Sequence, residues 1–197
     1  NSINRRMSKL FDTLSREAFR AGVNPRTAES RKWFRQRAKD LRGVNRKELM
    51  GELPSGGSVV GTMQMFFYNP KTKETLPYYD KFPLVVVVGP AKGGFYGLNL
   101  HYLPPFLRAK LLGGLMDIAT SKTSPSAKFE ISYGTLKAAS NLSAYKPCFK
   151  HYLASNVASG FAKVPAPEWE IATFLPIAQF AKIPNPLKAY ADSRKMI

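Results

Sequence analysis

Met7, Leu10, Phe11, Leu14 and Ala18 recur at three- and four-residue intervals, the spacing that lines one face of an α-helix. Gly22 and Pro25 interrupt the pattern, so it predicts a first helix over about Ser2 to Ala21. A second helix is predicted over about Pro25 to Leu41, with proline near its first turn and Gly43 just past its end. On a helical projection Phe34, Ala38 and Leu41 share one narrow arc, and Arg31, Lys32, Arg35, Lys39 and Arg42 share the adjoining one. Trp33 falls in neither. The first arc is suited to docking on a core, which would turn the cationic arc outward.

The middle of the chain changes period. "SVVGTMQMFFYNP", "FPLVVVVGPAKGG" and "FYGLNLHYLPP" are rich in β-branched and aromatic residues and bounded by Gly, Pro and Asn. They predict three or four antiparallel strands, with "GPAKGG" as a hairpin turn. Strongly twisted strands of this kind curl into a small barrel or half-barrel under a helix. That helix is "PFLRAKLLGGLMDIATS", entered through Pro104 and Pro105, with Leu107, Leu111, Leu112 and Leu115 as its apolar side. Three further helices are expected in "AKFEISYGTLKAAS", "KPCFKHYLASNVASGFAKV" and "APEWEIATFLPIAQF", and "IPNPLKAYADSRKMI" is expected to be a tail crossing the surface. The fold class is therefore α+β: an N-terminal basic helical arm over 1–50, then a core domain over 51–197 with a small antiparallel barrel or half-barrel, C-terminal helices and a tail.

Charge sharpens this division. The 197 residues carry a formal net charge of +17, more than solubility requires, and a polyanion is the expected partner. The first fifty residues hold fourteen basic side chains against five acids, and beyond them arginine occurs only at Arg108 and Arg194. Hydrophobic content of 44% separates the chain from disordered basic tails. Cys148, the single cysteine, permits no internal disulfide and suggests an intracellular product. The longest apolar runs fall short of a membrane span and no signal-like segment opens the chain, so a soluble protein without membrane partners is expected.

Arg26, Arg31, Lys32, Arg35, Lys39, Arg42, Arg46 and Lys47 are the candidate nucleic-acid contacts, since guanidinium groups suit bidentate binding of phosphate. Trp33, Tyr78 and Tyr79 are candidates for stacking on bases, although packing inside the protein is the more common fate of such rings. Catalysis finds little support. His101 and His151 are the only histidines, no Cys/His cluster exists to hold a metal, and no cofactor motif is present; "GPAKGG" lacks phosphate-loop spacing. A metal-dependent nuclease remains an alternative if folding brings Glu74, Asp80 and Lys81 together; Glu168 and Glu170 in "PEWEIA" form no acid cluster by sequence.

The segment "MFFYNPKTKETLPYYDKFPLVVVVGPAKGGFYGLNLHYLPPFLRAKLL", followed by "YKPCFKHYLASNV" and "EWEIATFLP", resembles the DNA end protector family of T-even-like contractile-tailed bacteriophages. The resemblance covers about residues 31–194. It implies a non-enzymatic virion protein that binds the terminus of the packaged linear double-stranded genome, enters the host with it and shields it from host exonuclease. It further implies few copies near the portal and neck, beside other virion proteins, and a stage in the host cytoplasm during assembly and after DNA entry. No catalytic residue is carried over, because that role has none. A head-completion, neck or baseplate assembly protein, binding other virion proteins through the same elements, is the other alternative.

Overall fold

The computed structural model describes residues 9–121, 133–183 and 185–195. Residues Ser2 to Ser8 of the first predicted helix, Met7 among them, and the first part of "AKFEISYGTLKAAS" lie outside the described residues. The helix α1, Lys9–Arg20, buries Phe11, Leu14 and Ala18 along the stripe read from the sequence. Its end is a Schellman turn: Val23 N–H donates to Ala18 O (3.1 Å) and Gly22 N–H to Phe19 O (3.0 Å). Gly22 makes this possible by taking φ +73°, where a side chain would be strained. The helix α2, Ala28–Ala38, follows, and then the short α3, Arg46–Gly51, capped by Asn45.

Five strands form one antiparallel sheet: β1 (Met63–Met65), β3 (Leu84–Ala91), β4 (Gly94–Asn99), β5 (Phe149–Leu153) and β6 (Ala162–Val164), in the order β5-β4-β3-β1-β6. The "GPAKGG" segment is the β3–β4 hairpin turn, with Ala91 opposite Gly94. The sheet is open and not a closed barrel. Closure requires tilted strands long enough to stagger against one another, and β1 and β6 have three residues each.

A second correction concerns "KPCFKHYLASNVASGFAKV", expected as a helix and observed as β5 and β6. Strand β5 covers the free edge of β4 (Phe95 opposite Tyr152, Gly97 opposite Lys150), and β6 covers that of β1. The unpaired backbone groups of those edges are satisfied by these partners, which outweighs the helical spacing of the apolar residues.

Both faces of the sheet are covered, which explains the run Val85 to Val88. One face, carrying Met63, Met65, Leu84, Val86, Val88 and Leu98, packs into a large cluster with Phe11, Leu14, Phe34, Leu112, Met116 and Trp169. That cluster draws in α1, α2, α4 (Pro105–Ser121) and α6 (Trp169–Phe174). The charge boundary near residue 50 is therefore not matched by a gap in apolar packing. The opposite face carries Phe66, Tyr68, Val85, Val87, Phe95 and Tyr152. There Phe66 and Tyr152 meet edge-on with centroids 5.4 Å apart.

The C-terminal stretch is also more ordered than a surface tail. After α5 (Tyr133–Ser140), β5 and β6, the two-residue strand β7 (Phe180–Ala181) pairs with β2 (Tyr79–Asp80). The final helix α7, Pro186–Lys195, buries Ala189 and Ser193. The Tyr78 hydroxyl bonds the Ser193 hydroxyl and donates to the Ala189 carbonyl, which fastens α7 beside β2.

Candidate nucleic-acid interface

Phe34 is buried, and Ala38 and Leu41 pack against the core, so the apolar arc of α2 is the docked one. The start of α2 is fixed by a capping box in which Thr27 accepts from Ser30 N–H (3.1 Å) and Ser30 Oγ accepts from Thr27 N–H (2.9 Å). Beneath it sits Glu170 of α6, almost wholly buried. It accepts the Ser30 hydroxyl at 2.6 Å and the Arg26 N–H at 2.5 Å. A carboxylate at this position also meets the positive end of the helix dipole. Arg26 is in the left-handed region, φ 59°, which turns the chain into the cap. Farther along, Arg37 forms a two-point ion pair with Glu17 of α1 (2.7 and 3.3 Å). The hydrogen bond from Arg37 lowers the Glu17 pKa.

Docked in this way, α2 exposes Lys32 and, at its C-cap, Lys39, with Arg26 exposed in the turn before it and Lys47 exposed on α3. Arg35 is half-buried and with Lys39 walls a groove of about 280 Å³ floored by Phe174, Leu175 and Pro176. The other candidate cations have protein contacts of their own. Arg31 lies against α4, where a side chain at Gly113 would meet its guanidinium at 3.1 Å. Arg42 donates to the carbonyls of Lys39 (2.6 Å) and Leu41 (2.9 Å). Arg46 donates to those of Ile177 (2.8 Å) and Ala178 (3.0 Å), tying α3 to the segment before β7.

The three aromatic candidates separate as well. Trp33 is half-buried and meets Phe34 edge-on at 5.1 Å. Tyr78 is buried, whereas Tyr79 is half-buried and lines a second, larger pocket.

Asp80 and His101 meet in the interior, His101 Nδ1 to Asp80 Oδ2 at 2.7 Å. Asp80 also accepts from Phe82 N–H (3.0 Å), Gln179 N–H (3.1 Å) and Asn99 Nδ2 (3.1 Å). Burial pushes the Asp80 carboxyl up, but these donors together outweigh it and hold the group ionised. Burial lowers the His101 pKa; the Asp80 charge and its hydrogen bond act against this, and the Arg108 and Arg46 charges add to it, with a net lowering. The consistent assignment is a neutral ring with its proton on Nδ1, facing the carboxylate; protonation would strand a second N–H at Nε2, which has no partner. Both side chains are enclosed, and the pair braces β2 against the end of β4. Glu74 and Lys81 are exposed while Asp80 is buried, and among the described residues no group of three His, Cys, Asp or Glu side chains is placed to hold a metal.

Two structural cations had no clear sequence signal. Arg108 is buried and donates to the carbonyls of Leu103 (2.7 Å), Thr173 (3.3 Å) and His101 (3.3 Å), with burial lowering its pKa to about 10. Lys150, on a segment read as helix, instead stands on β5 with its ammonium 4.0 Å from the centre of the Tyr102 ring.

Fold and surface together define a basic α+β protein that presents cations from a helix locked onto its core. The chain belongs to the family described as Phage T4 terminal DNA protecting protein, whose model matches residues 5–193. It is thus a bacteriophage protein of the group that protects DNA termini. No curated protein and no solved structure matches the chain. Among the described residues no helix is long and apolar enough to cross a membrane.

Proposed function

We propose that this protein is a non-enzymatic virion component that binds the end of the packaged linear double-stranded DNA and shields it from host exonuclease. The family match carries the reading, and the cations presented by docked α2 support it. Lys32, Arg35, Lys39, Lys47 and Arg26 approach phosphates as exposed or groove-lining charges. Arg31, Arg42 and Arg46 add their field from positions already engaged with the protein. Its site of action follows from the role: near the portal and neck beside other virion proteins, then in the host cytoplasm with the entering DNA.

Neutralising phosphates releases counterions, so the logarithm of affinity falls linearly with log salt, by about 0.9 per phosphate contact. The test compares a linear duplex with a covalently closed circle of the same length across a salt series. A steep slope on both, with tighter binding to the linear form, is expected. Replacing Lys32, Arg35, Lys39 and Lys47 by glutamine lowers the slope by about one for each lost contact. A salt-independent affinity, or equal affinity for both DNA forms at all salt concentrations, would overturn the reading.

A further inference from the structure

A pocket of about 350 Å³ opens beside β2 and β5, away from the groove of α2. This is near the lower end of the roughly 300–1,000 Å³ range of small-molecule sites. Five tyrosines, Tyr68, Tyr78, Tyr79, Tyr102 and Tyr152, are among its lining residues. Several are fixed through their hydroxyls. Tyr68 accepts from Leu153 N–H (2.9 Å), Tyr152 from Asn99 Nδ2 (3.1 Å), and Tyr78 is tied to α7. Asn99 is held in turn by Asp80, so the buried Asp80 network is the brace under this pocket. The rings are set before any ligand arrives, which reduces the ordering cost of binding.

Two lysines, Lys71 and Lys150, line the pocket as well, and of these Lys150 stands over a tyrosine ring. Lys150 extends from β5 on the same face as Tyr152, opposite Gly97, and rests on the Tyr102 ring. Among the described residues no carboxylate pairs with it. The Asp80 charge nearby is already taken up by its own donors. Aromatic walls favour a planar π system, and a desolvated ammonium without an acid favours an anion, phosphate above all. A nucleotide has both. A base inside a duplex is stacked and paired and cannot enter a concave pocket, whereas the last nucleotide of a strand gives up the least to do so.

We propose that this pocket takes the terminal nucleotide of a DNA strand, the base among the tyrosine rings and the phosphate against Lys150. The proposal rests on the DNA-end reading above and gives it a means of choosing ends over internal duplex, which the cations of α2 alone do not supply.

The test uses the full chain, wild type and Lys150→Met, with Tyr79→Leu as a second variant on the pocket wall; circular dichroism establishes that each is folded. Deoxyadenosine 5′-monophosphate, deoxyadenosine and inorganic phosphate are titrated separately by calorimetry. Two duplexes are then compared, one linear with 5′-phosphates and one of equal length closed at both ends by hairpin loops. The mononucleotide should bind more tightly than the nucleoside or phosphate, and Lys150→Met should weaken it by about tenfold, the scale of one charge-assisted contact. The same variant should reduce preference for the linear duplex while leaving affinity for the closed one unchanged. Equal binding of both duplexes by wild type would defeat the DNA-end reading itself. A preference for the linear duplex that is unchanged in both variants would overturn the pocket proposal and leave that reading standing. If those variants also lose the mononucleotide, free nucleotide rather than a DNA terminus is the ligand.

Discussion

Glu170→Gln is the substitution that most directly tests how the basic helix is held. The change keeps the side chain's shape and removes its charge, at a site almost wholly enclosed. Two contacts are affected, the 2.6 Å bond from the Ser30 hydroxyl and the bond from Arg26 N–H. A hydrogen bond to a charged group contributes about 1.5–3 kcal/mol, and a charge at a helix N-terminus about 0.3–1 kcal/mol. An amide still accepts through one oxygen, but its NH₂ must face Ser30 or Arg26, so about half of the larger sum is retained. The expected loss is about 2–4 kcal/mol. For a chain of this size that corresponds to a fall in melting temperature of at least roughly 4–8 °C. Urea denaturation of wild type, Glu170→Gln, Ser30→Ala and the double variant provides the measurement. Because Ser30 and Glu170 share a bond, the double variant should lose less than the two single losses added, by about 1 kcal/mol. An unchanged midpoint in Glu170→Gln, or strict additivity, would refute the claim that this carboxylate docks α2.

Three further outcomes follow from the same geometry. Phe34→Ala should cost about 3 kcal/mol in urea unfolding, because the ring is buried under α2; an unchanged midpoint would contradict that packing. Glu17→Gln should cost about 0.5 kcal/mol near neutral pH, since the pair with Arg37 is one-third exposed and screened by water. Its folded-state pKa is lowered, so this contribution is present above the unfolded carboxylate pKa and is lost as pH falls through the folded one; a loss that persisted in acid would refute the assignment. Lys150 has its pKa lowered to about 8 by burial, which the nearby Cys148 only partly offsets. The other ionisable groups around its pocket are Lys71, His151, Asp80 and the tyrosines. Mononucleotide binding should therefore weaken as pH rises through about 8 and take up a proton near that pH, while Lys150→Met abolishes both effects. Stability has the opposite sign: between about 8 and the unfolded lysine value the unfolded chain binds more protons, so the Lys150 contribution to stability rises with pH.

The docking arc of α2 was legible because Phe34, Ala38 and Leu41 express a local period that no distant contact overrides. Strands β5 and β6 were not, for a physical reason. Cys148 and Tyr152, Phe149 and Leu153, and Val157 and Phe161 are each four residues apart, which imitates a helix, and only the open edges of β4 and β1 select the extended form. The same blindness to distant partners governed the site. Nothing within "PEWEIA" links Glu170 to a cap 140 residues earlier. Nothing near Arg46 signals that it will bind the carbonyls of Ile177 and Ala178. Tyr78 and Tyr79 are neighbours in sequence and line one pocket, yet only Tyr78 is buried and fastened to α7. The excess of positive charge could be read directly, whereas the split between outward and inward cations depended on the tertiary fold.

The central claim is protection of DNA ends, and exonuclease digestion tests it most directly. Linear duplex and covalently closed circle are incubated with protein at a salt concentration where general phosphate binding is weak, then challenged separately with a processive exonuclease and an endonuclease. The account predicts that about one protein per end preserves the linear duplex from the exonuclease while internal sites on both molecules are still cut. Equal protection of internal sites, digestion of the ends despite tight binding, or cleavage of the DNA by the protein itself would contradict it.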